Sequence, residues 1–320
     1  MTDSDRQHLA DVRARIDAVD EELLALVNER GRLAQEVARI KRAQGQEGDF
    51  YRPEREQEVL RRLEAKNQGP LADEVVARLF REVMSACLAL QQPLKVAFLG
   101  PEGTFTQAAA LKQFGHGVQL QPLAAIDTVF REVEAGDLHY GVVPVENSTE
   151  GVVNHTLDCF LTSPLQVVGE VELRIQQHLA SAEPEIGRVQ RVYSHQQGLA
   201  QCRAWLDTNL AGAERITVDS TGEAARIAAS EPGSAAVASD AAVDVYGLNR
   251  LADGIEDIPG NTTRFLVIGR QSPPPTGDDK TSLVISRKDR PGGLVNLLEP
   301  LARHEINMTR LDARPSRQGV

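Results

Sequence analysis

Cysteine is scarce in this chain. Its 320 residues hold three, Cys87, Cys159 and Cys202, far apart and without a CxxC pair. That excludes a disulfide framework and thiol-rich zinc modules, and it fits free thiols in a reducing, cytoplasmic compartment. No apolar run approaches membrane-spanning length, and the polar start Met1-Thr-Asp-Ser-Asp-Arg has no apolar signal region. Neither membrane insertion nor export is therefore expected. No His/Cys/carboxylate spacing suits a metal. Gly100 and Gly103 alone do not make a GxGxxG dinucleotide fingerprint, so no metal or cofactor is expected. Positive charge is in deficit, with 35 Lys and Arg against 46 Asp and Glu and a net charge of −11, which argues against nucleic acid as a partner. An anionic substrate would meet a repulsive overall field, so a few placed Arg or Lys residues would have to bind it. Aromatic residues make up only 4%, which leaves the cores to aliphatic side chains.

What is present divides into three regions. To about Gln92 the pattern is helical. Leu9, Val12, Ile16, Val19, Leu23, Leu26, Leu33, Val37 and Ile40 recur at spacings of three and four, a seam suited to helix–helix packing. A Gly-containing turn (Gly45 to Gly48) follows, then a helix opened by Arg52-Pro53-Glu54 and ended by Gly69-Pro70, then a third helix through Val75, Leu79, Val83 and Leu88. From Pro93, strand-like runs (95–99, 141–145, 165–168, 235–238, 265–268) alternate with helical ones (107–114, 223–229), which predicts an α/β domain with largely parallel strands. Ser272-Pro-Pro-Pro-Thr-Gly-Asp-Asp279 has linker composition. A strand (Thr281 to Ser286), a helix (Gly292 to His304) and a second strand (Asn307 to Ala313) are predicted beyond it. The expected domains are 1–92, 93–271 and 280–320, with 272–279 as linker.

Arg30 falls on the apolar seam where an apolar residue is due. A charge there needs a partner or a ligand. Lys41 is eleven residues on, within about 20° of the same helix face and roughly 16 Å away, so both side chains can converge on one small dianion. Arg13 lies seventeen residues before Arg30, roughly 26 Å along the axis and about 100° around it. It reaches the site of an antiparallel partner more easily than its own, which predicts a homodimer, or a higher homo-oligomer, with shared sites.

Val12-Arg13, the run Asp20 to Arg30, Lys41, Arg55-Glu56 and Gln91 resemble the all-helical chorismate mutases. The resemblance implies an intertwined dimer. It makes Arg13 the arginine that crosses from the partner, and Arg30, Lys41 and Arg55 the other cationic ligands of chorismate. It puts Glu56 on the substrate hydroxyl and Gln91 at the ether oxygen. Arg52 stands where one branch of that family has a substrate-proximal aspartate, and Cys87 replaces a serine. A Claisen rearrangement needs no nucleophile and no proton transfer. It needs a folded dianion held in reactive geometry, with donors at the oxygen that gains charge.

In the middle region, four polar clusters follow strands, where α/β domains place their sites. They are Gly100 to Phe105, Pro144 to Gly151, Tyr193 to Cys202 and Ile258 to Phe265. His195 with Cys202 shows no activating partner for nucleophilic catalysis and reads as structural. In order and spacing the four clusters resemble prephenate dehydratase over residues 94–271. The resemblance implies two lobes of the periplasmic-binding-protein type with the site in the cleft. Thr263 would supply the catalytic hydroxyl and Arg264 would bind the substrate carboxylate. Phe265 would shape the site, with Glu146, Asn147, Ser194 and Gln201 as further cleft residues. Gln196 stands where proline is common.

Beyond the linker, Arg290-Pro-Gly292-Gly293-Leu294-Val295 and Asp312-Ala-Arg314-Pro315 resemble the phenylalanine-binding motifs of an ACT regulatory domain. Only the first βαβ of its βαββαβ order is expected here, a partial α+β domain. Asp312-Ala313 departs from the commoner Glu-Ser. Together the resemblances imply a bifunctional chorismate mutase/prephenate dehydratase acting on chorismate and prephenate, with phenylalanine as an effector. Two other readings stand beside it: a dehydratase whose helical region only dimerises, and a two-lobed binding protein without catalysis.

Overall fold

The computed structural model describes residues 2–45, 51–277, 279–285 and 290–313. The expected turn after the first helix and the expected first strand of the C-terminal piece therefore lie partly outside the described residues. Three helices open the chain: α1 (Asp3–Ala43), α2 (Pro53–Glu64) and α3 (Asp73–Ala89). A capping box starts α1, with the Thr2 hydroxyl accepting from Asp5 N and the Asp5 carboxylate accepting from Thr2 N. Pro53 occupies the first turn of α2, where its missing N–H costs nothing.

Only the second half of α1 packs. Gly31 and Ala38 are its buried residues, and a Cβ on Gly31 would lie 3.3 Å from Leu90 Cδ1 at the end of α3. Before Arg30 the side chains are exposed, apart from half-buried Val12. The seam therefore faces outward: Ile16 is 54% exposed, Leu23 53% and Leu26 58%. A helix of this length, roughly 60 Å, gains most of its stability from packing an apolar face.

The α/β part has two sheets. The chain runs β1 (Lys95–Leu99), α4 (Phe105–Phe114), β2 (Gln119–Leu123), α5 (Ile126–Ala135), β3 (Tyr140–Asn147), β4 (Gly151–Val152), α6 (Asn154–Cys159) and β5 (Gln166–Arg174). It then crosses to a second lobe: β6 (His178–Ser181), β7 (Arg191–Ser194), α7 (Gln196–Gln201), α8 (Arg203–Asn209), β8 (Glu214–Thr217), α9 (Thr221–Ser230), β9 (Ser234–Ala238), α10 (Asp240–Tyr246) and β10 (Asn249–Ala252). It returns to the first lobe as β11 (Thr262–Gly269), which inserts between β3 and β5. The strand orders are β2-β1-β3-β11-β5, with β4 on β3, and β10-β6-β9-β7-β8.

The expectation of largely parallel strands needs correction. β1 is parallel to β2 and β3, and β7 is parallel to β8 and β9. β11 is antiparallel to both neighbours, and β6 is antiparallel to β9 and β10. Helix–strand alternation reports right-handed crossovers within each lobe. It is silent about a strand that arrives from the other lobe, and those strands enter antiparallel.

In the first lobe α5 covers one sheet face with Val129, Phe130 and Val133, and α4 covers the other with Ala109, Ala110 and Phe114. The second lobe is alanine-rich where α9 and α10 meet β9: Ala224, Ala225, Ala228, Ala236, Ala238 and Ala242. Small side chains let those backbones approach closely.

The helical and α/β parts are one compact unit, 1–279. α3 docks on the turn after α4. Glu82 accepts from His116 N (3.0 Å), and Ser85 Oγ accepts from Gly117 N (3.0 Å). A Cβ on Gly115 or Gly117 would lie 2.7 Å from Ser85 Cβ or 2.6 Å from its carbonyl oxygen, so both glycines permit this contact.

The second unit begins at Lys280. It holds α11 (Gly293–Arg303), as expected, started by Gly292 at φ 76°. The strands expected on either side are not formed at residues 281–285 or 307–313. A strand needs a ladder partner and a covered face. Here Leu283, Val284, Leu294, Val295 and Ile306 are each more than half exposed.

Candidate active sites

A cavity of about 400 Å³ lies between the two lobes. The first lobe contributes the end of β1, the first turn of α4, and Asn147, Asn261, Thr263 and Phe265. The second contributes His195, Gln197, Gly198 and Gln201 around α7, and Asp219 to Thr221 at the start of α9. A hydrogen bond from Gln197 Nε2 to Glu150 spans the cleft. The lobes also meet where Ser239 Oγ donates to Gly103 O (3.0 Å) and where Gly222 abuts Glu102, whose carbonyl oxygen would lie 2.2 Å from an added Cβ.

Strand register sets the chemistry at Thr263. It pairs with Asn147 across β11 and β3. The Asn147 carbonyl oxygen accepts from Thr149 N (2.9 Å) and Glu150 N (3.1 Å), which turns its amide nitrogen to donate to Thr263 Oγ1 (2.8 Å). The buried hydroxyl thus receives a hydrogen bond and keeps its own proton for donation. Asn261 Oδ1 accepts from Ser148 Oγ (3.1 Å), while its buried Nδ2 has no hydrogen-bond partner among the described residues. Gln177 donates to Gln201 (3.3 Å), and Gln177 Oε1 is likewise buried without a partner among the described residues.

Three residues expected in the cleft are not among those lining it. Arg264 lies between Thr263 and Phe265 on β11, and the period of two turns it to the other face. There it pairs with Glu170 (3.2 Å) and Glu146 (3.4 Å), so Glu146 is occupied as well. Ser194 is fully buried and donates to Val237 O (2.8 Å), seating α7 rather than facing the cavity. Asn147, Gln201, Thr263 and Phe265 do line it. No Arg or Lys is among the described lining residues. Donors come instead from Asn261 and from the first two N–H groups of α4 and α9, since the N–H groups of Gln107 and Glu223 are taken by the Thr104 and Ser220 hydroxyls. Motif reading missed Asn261 because Pro-Gly-Asn is also ordinary turn chemistry. Burial pushes the Cys202 thiol up to about 12, which removes it as a nucleophile.

In the helical part, Gly31 against Leu90 brings the positions of Arg30 and Gln91 to one crossing. Arg30, Lys41 and Gln91 are each half-buried, while Arg13 is exposed on the unpacked half of α1. Glu56 is largely buried and accepts from Arg81 Nε (3.1 Å). Burial raises its pKa, and the Arg81 guanidinium opposes that shift. Arg55 pairs with Glu58, and Arg52 lies 3.8 Å from Glu54, both at the surface. Arg81 was not anticipated from the sequence. Its signal is the i, i+4 stripe Ala77–Arg81–Ser85, a charge flanked by small inward residues.

These features define a protein with two separate candidate sites, one in a helical module and one between two α/β lobes. Residues 96–273 match the prephenate dehydratase family model, and residues 12–92 match that of chorismate mutase type II. The bifunctional chorismate mutase/prephenate dehydratase of Stutzerimonas stutzeri is 56% identical over 320 residues, covering 99% of this chain and 88% of that one. The enzyme of the same name from Pseudomonas aeruginosa gives the same identity and coverage. The structure of Arthrobacter aurescens prephenate dehydratase in complex with L-Phe is 32% identical with a TM-score of 0.61, covering 70% of this chain and 76% of that one. The chain belongs to the bifunctional chorismate mutase/prephenate dehydratases. It rearranges chorismate to prephenate and then converts prephenate to phenylpyruvate, two steps of phenylalanine biosynthesis. The readings as a dehydratase with a purely dimerising helical part, or as a binding protein, are set aside. No helix among the described residues is long and apolar enough to cross a membrane.

The contact at Gly222 yields a prediction. Gly222→Ala must displace backbone at Glu102, because a Cβ there would lie 2.2 Å from a carbonyl oxygen. Dehydratase kcat/KM should fall about 10–100-fold as the lobes shift, with chorismate consumption unchanged. Separate kinetics with chorismate and with prephenate would measure both.

Proposed function

We propose that Thr263 protonates the ring hydroxyl of prephenate, which leaves as water while the ring carboxylate leaves as carbon dioxide and its electron pair completes the aromatic ring. The observation that carries this reading is the Thr263 hydroxyl, buried in the interlobe cavity, accepting from Asn147, with no acceptor for its own proton among the described residues. The substrate charges would be held by the N-termini of α4 and α9 and by the Asn261 amide, with Gln201 and Phe265 completing the walls. Arg264 would then act through the sheet, clamping Glu146 and Glu170.

In the helical domain, 1–92, Arg30 and Lys41 would hold the chorismate carboxylates, and Glu56 would accept from the substrate hydroxyl. Gln91 would donate to the ether oxygen, with Arg55 and Arg52 at the rim. Arg13 of a second protomer would complete the cage, in an intertwined homodimer that covers the exposed seam of α1. The dehydratase domain spans 93–271. Free, buried Cys87 and Cys202 support a cytoplasmic setting. In the partial ACT segment, Gly292, Gly293, Leu294, Val295 and Asp312 would meet phenylalanine, a reading supported by the L-Phe complex of the Arthrobacter enzyme. Arg314 and Pro315 of the same motif lie outside the described residues.

A mixing experiment tests the shared mutase site. Arg13→Ala and Arg30→Ala homodimers should each be inactive as mutases. Mixed and re-equilibrated in equal amounts, they should regain about a quarter of wild-type activity, because half the dimers are mixed and each of those holds one intact site. No recovery, with exchange shown by mass after isotope labelling of one variant, would refute an active site shared between protomers.

A further inference from the structure

His195 follows β7, caps α7 and lines the interlobe cavity. Its two ring nitrogens are in different situations. Gln197 N lies 3.3 Å from Nδ1. A backbone N–H can only donate, so Nδ1 is the acceptor and carries no proton. The proton of the ring is therefore on Nε2. Among the described residues that N–H meets no acceptor. The mount of the ring is firm. Ser194 Oγ donates to Val237 O (2.8 Å), and a Cβ on Gly198 would collide with Ser194 Oγ, so β7 and the first turn of α7 pack closely. Gln197, whose N–H fixes the ring, also bridges to Glu150 of the first lobe, so the imidazole is held where the two lobes meet. The described lining residues include no Arg or Lys, and His195 is the one among them with a ring N–H to offer an anion.

We propose that His195 is a substrate-binding residue of the dehydratase site, donating from Nε2 to the carboxylate on the pyruvyl arm of prephenate. The choice among the substrate's groups follows from its chemistry. Prephenate carries the hydroxyl at one end of its ring. At the other end a single carbon bears both the ring carboxylate and the pyruvyl arm. With the hydroxyl at Thr263 in the first lobe, that carbon points away from Thr263, into the space that the second lobe walls. The ring carboxylate leaves as neutral carbon dioxide, and a donor on it would stabilise the charge that the reaction must remove. The pyruvyl carboxylate keeps its charge throughout, so a donor there binds substrate and transition state alike. This inference rests on the reading of the cavity as the dehydratase site.

The test uses the full chain and two variants that each keep one function of the ring. His195→Asn keeps an acceptor near the place of Nδ1, and asparagine is a good helix cap, but the Nε2–H is deleted. His195→Gln puts an amide N–H near the place of Nε2 and gives up the cap. KM for prephenate should rise about 10–100-fold in His195→Asn while kcat holds. His195→Gln should recover most of that loss. Chorismate consumption should match wild type in both. A His195→Gln variant no better than His195→Asn overturns the proposal, since the ring would then serve α7 and not the substrate. A fall in kcat at unchanged KM in His195→Asn overturns it too, because the ring would then act on the reacting atoms. A kcat that rises along with KM would put the imidazole on the departing carboxylate and overturn the assignment to the pyruvyl arm. Thr263→Ala separates the underlying reading. If that variant forms phenylpyruvate at the wild-type rate, the cavity is not the dehydratase site as read. If it stops the reaction and His195→Asn behaves as wild type, the site stands and His195 does not bind substrate there.

Discussion

Replacing Thr263 with alanine is expected to stop phenylpyruvate formation while prephenate accumulates from chorismate. Loss of a positioned proton donor costs about 10²–10⁴-fold in rate. A hydroxyl is a weak acid, and aromatisation of the ring supplies the driving force, so a shared proton suffices as the C–O bond breaks. Substrate binding should change little, because the donors that face the negative charge lie on α4, α9 and Asn261. The loss should thus appear in kcat rather than KM. Thr263→Ser should retain part of the activity, since Asn147 still donates to an oxygen at the same position. Phenylpyruvate formed by Thr263→Ala at the wild-type rate would remove the hydroxyl from the chemistry. The same variant tests the separation of the sites, because its mutase rate should match wild type.

Arg30→Leu should separate function from stability in opposite directions. A cationic donor aimed at developing charge in a dry site is worth about 10²–10³ in rate. The mutase step should fall by that amount and the dehydratase step should not. Leucine would also repair the apolar series on α1 at the one position where a charge interrupts it. A dimer formed through that seam should hold together at greater dilution, because a desolvated charge is replaced by an apolar side chain. Sedimentation across a dilution series, run beside chorismate kinetics, would read both effects. A variant both inactive and less tightly associated would mean that Arg30 supports the interface rather than the substrate.

Much of this was legible in the sequence, for identifiable reasons. The seam of α1, the proline that opens α2 and the helices behind β1 and β8 are local patterns, and local patterns survive folding. Thr263, Asn147, Gln201 and Phe265 reached one cavity because Asn147 ends β3, Thr263 and Phe265 open β11 beside it, and Gln201 closes the short helix after β7. What was not legible depended on partners distant in the chain. Arg264 adjoins Thr263 in sequence and faces the opposite side of the sheet. Ser194 has a reactive-looking hydroxyl, spent on the Val237 carbonyl. Tyr51 looks like a loop residue until Gln113, sixty-two positions on, reaches its hydroxyl. The strands expected around α11 carry adequate β-formers but lie uncovered. Alternation of residues describes a strand's faces and supplies no neighbour for its edges.

The insertion of β11 between β3 and β5 has a consequence during synthesis. Both flanking strands have left the ribosome once residue 174 emerges, but the strand that joins them ends at residue 269. For those 95 residues (269 − 174) the β2-β1-β3 part of the first sheet has an open edge at β3, and β5 has no ladder partner among the described strands. At ordinary translation rates that is roughly 5–20 s. Open edges are templates for pairing with other chains. The first lobe can therefore close only after the whole of the second lobe has been synthesised and β11 has followed it.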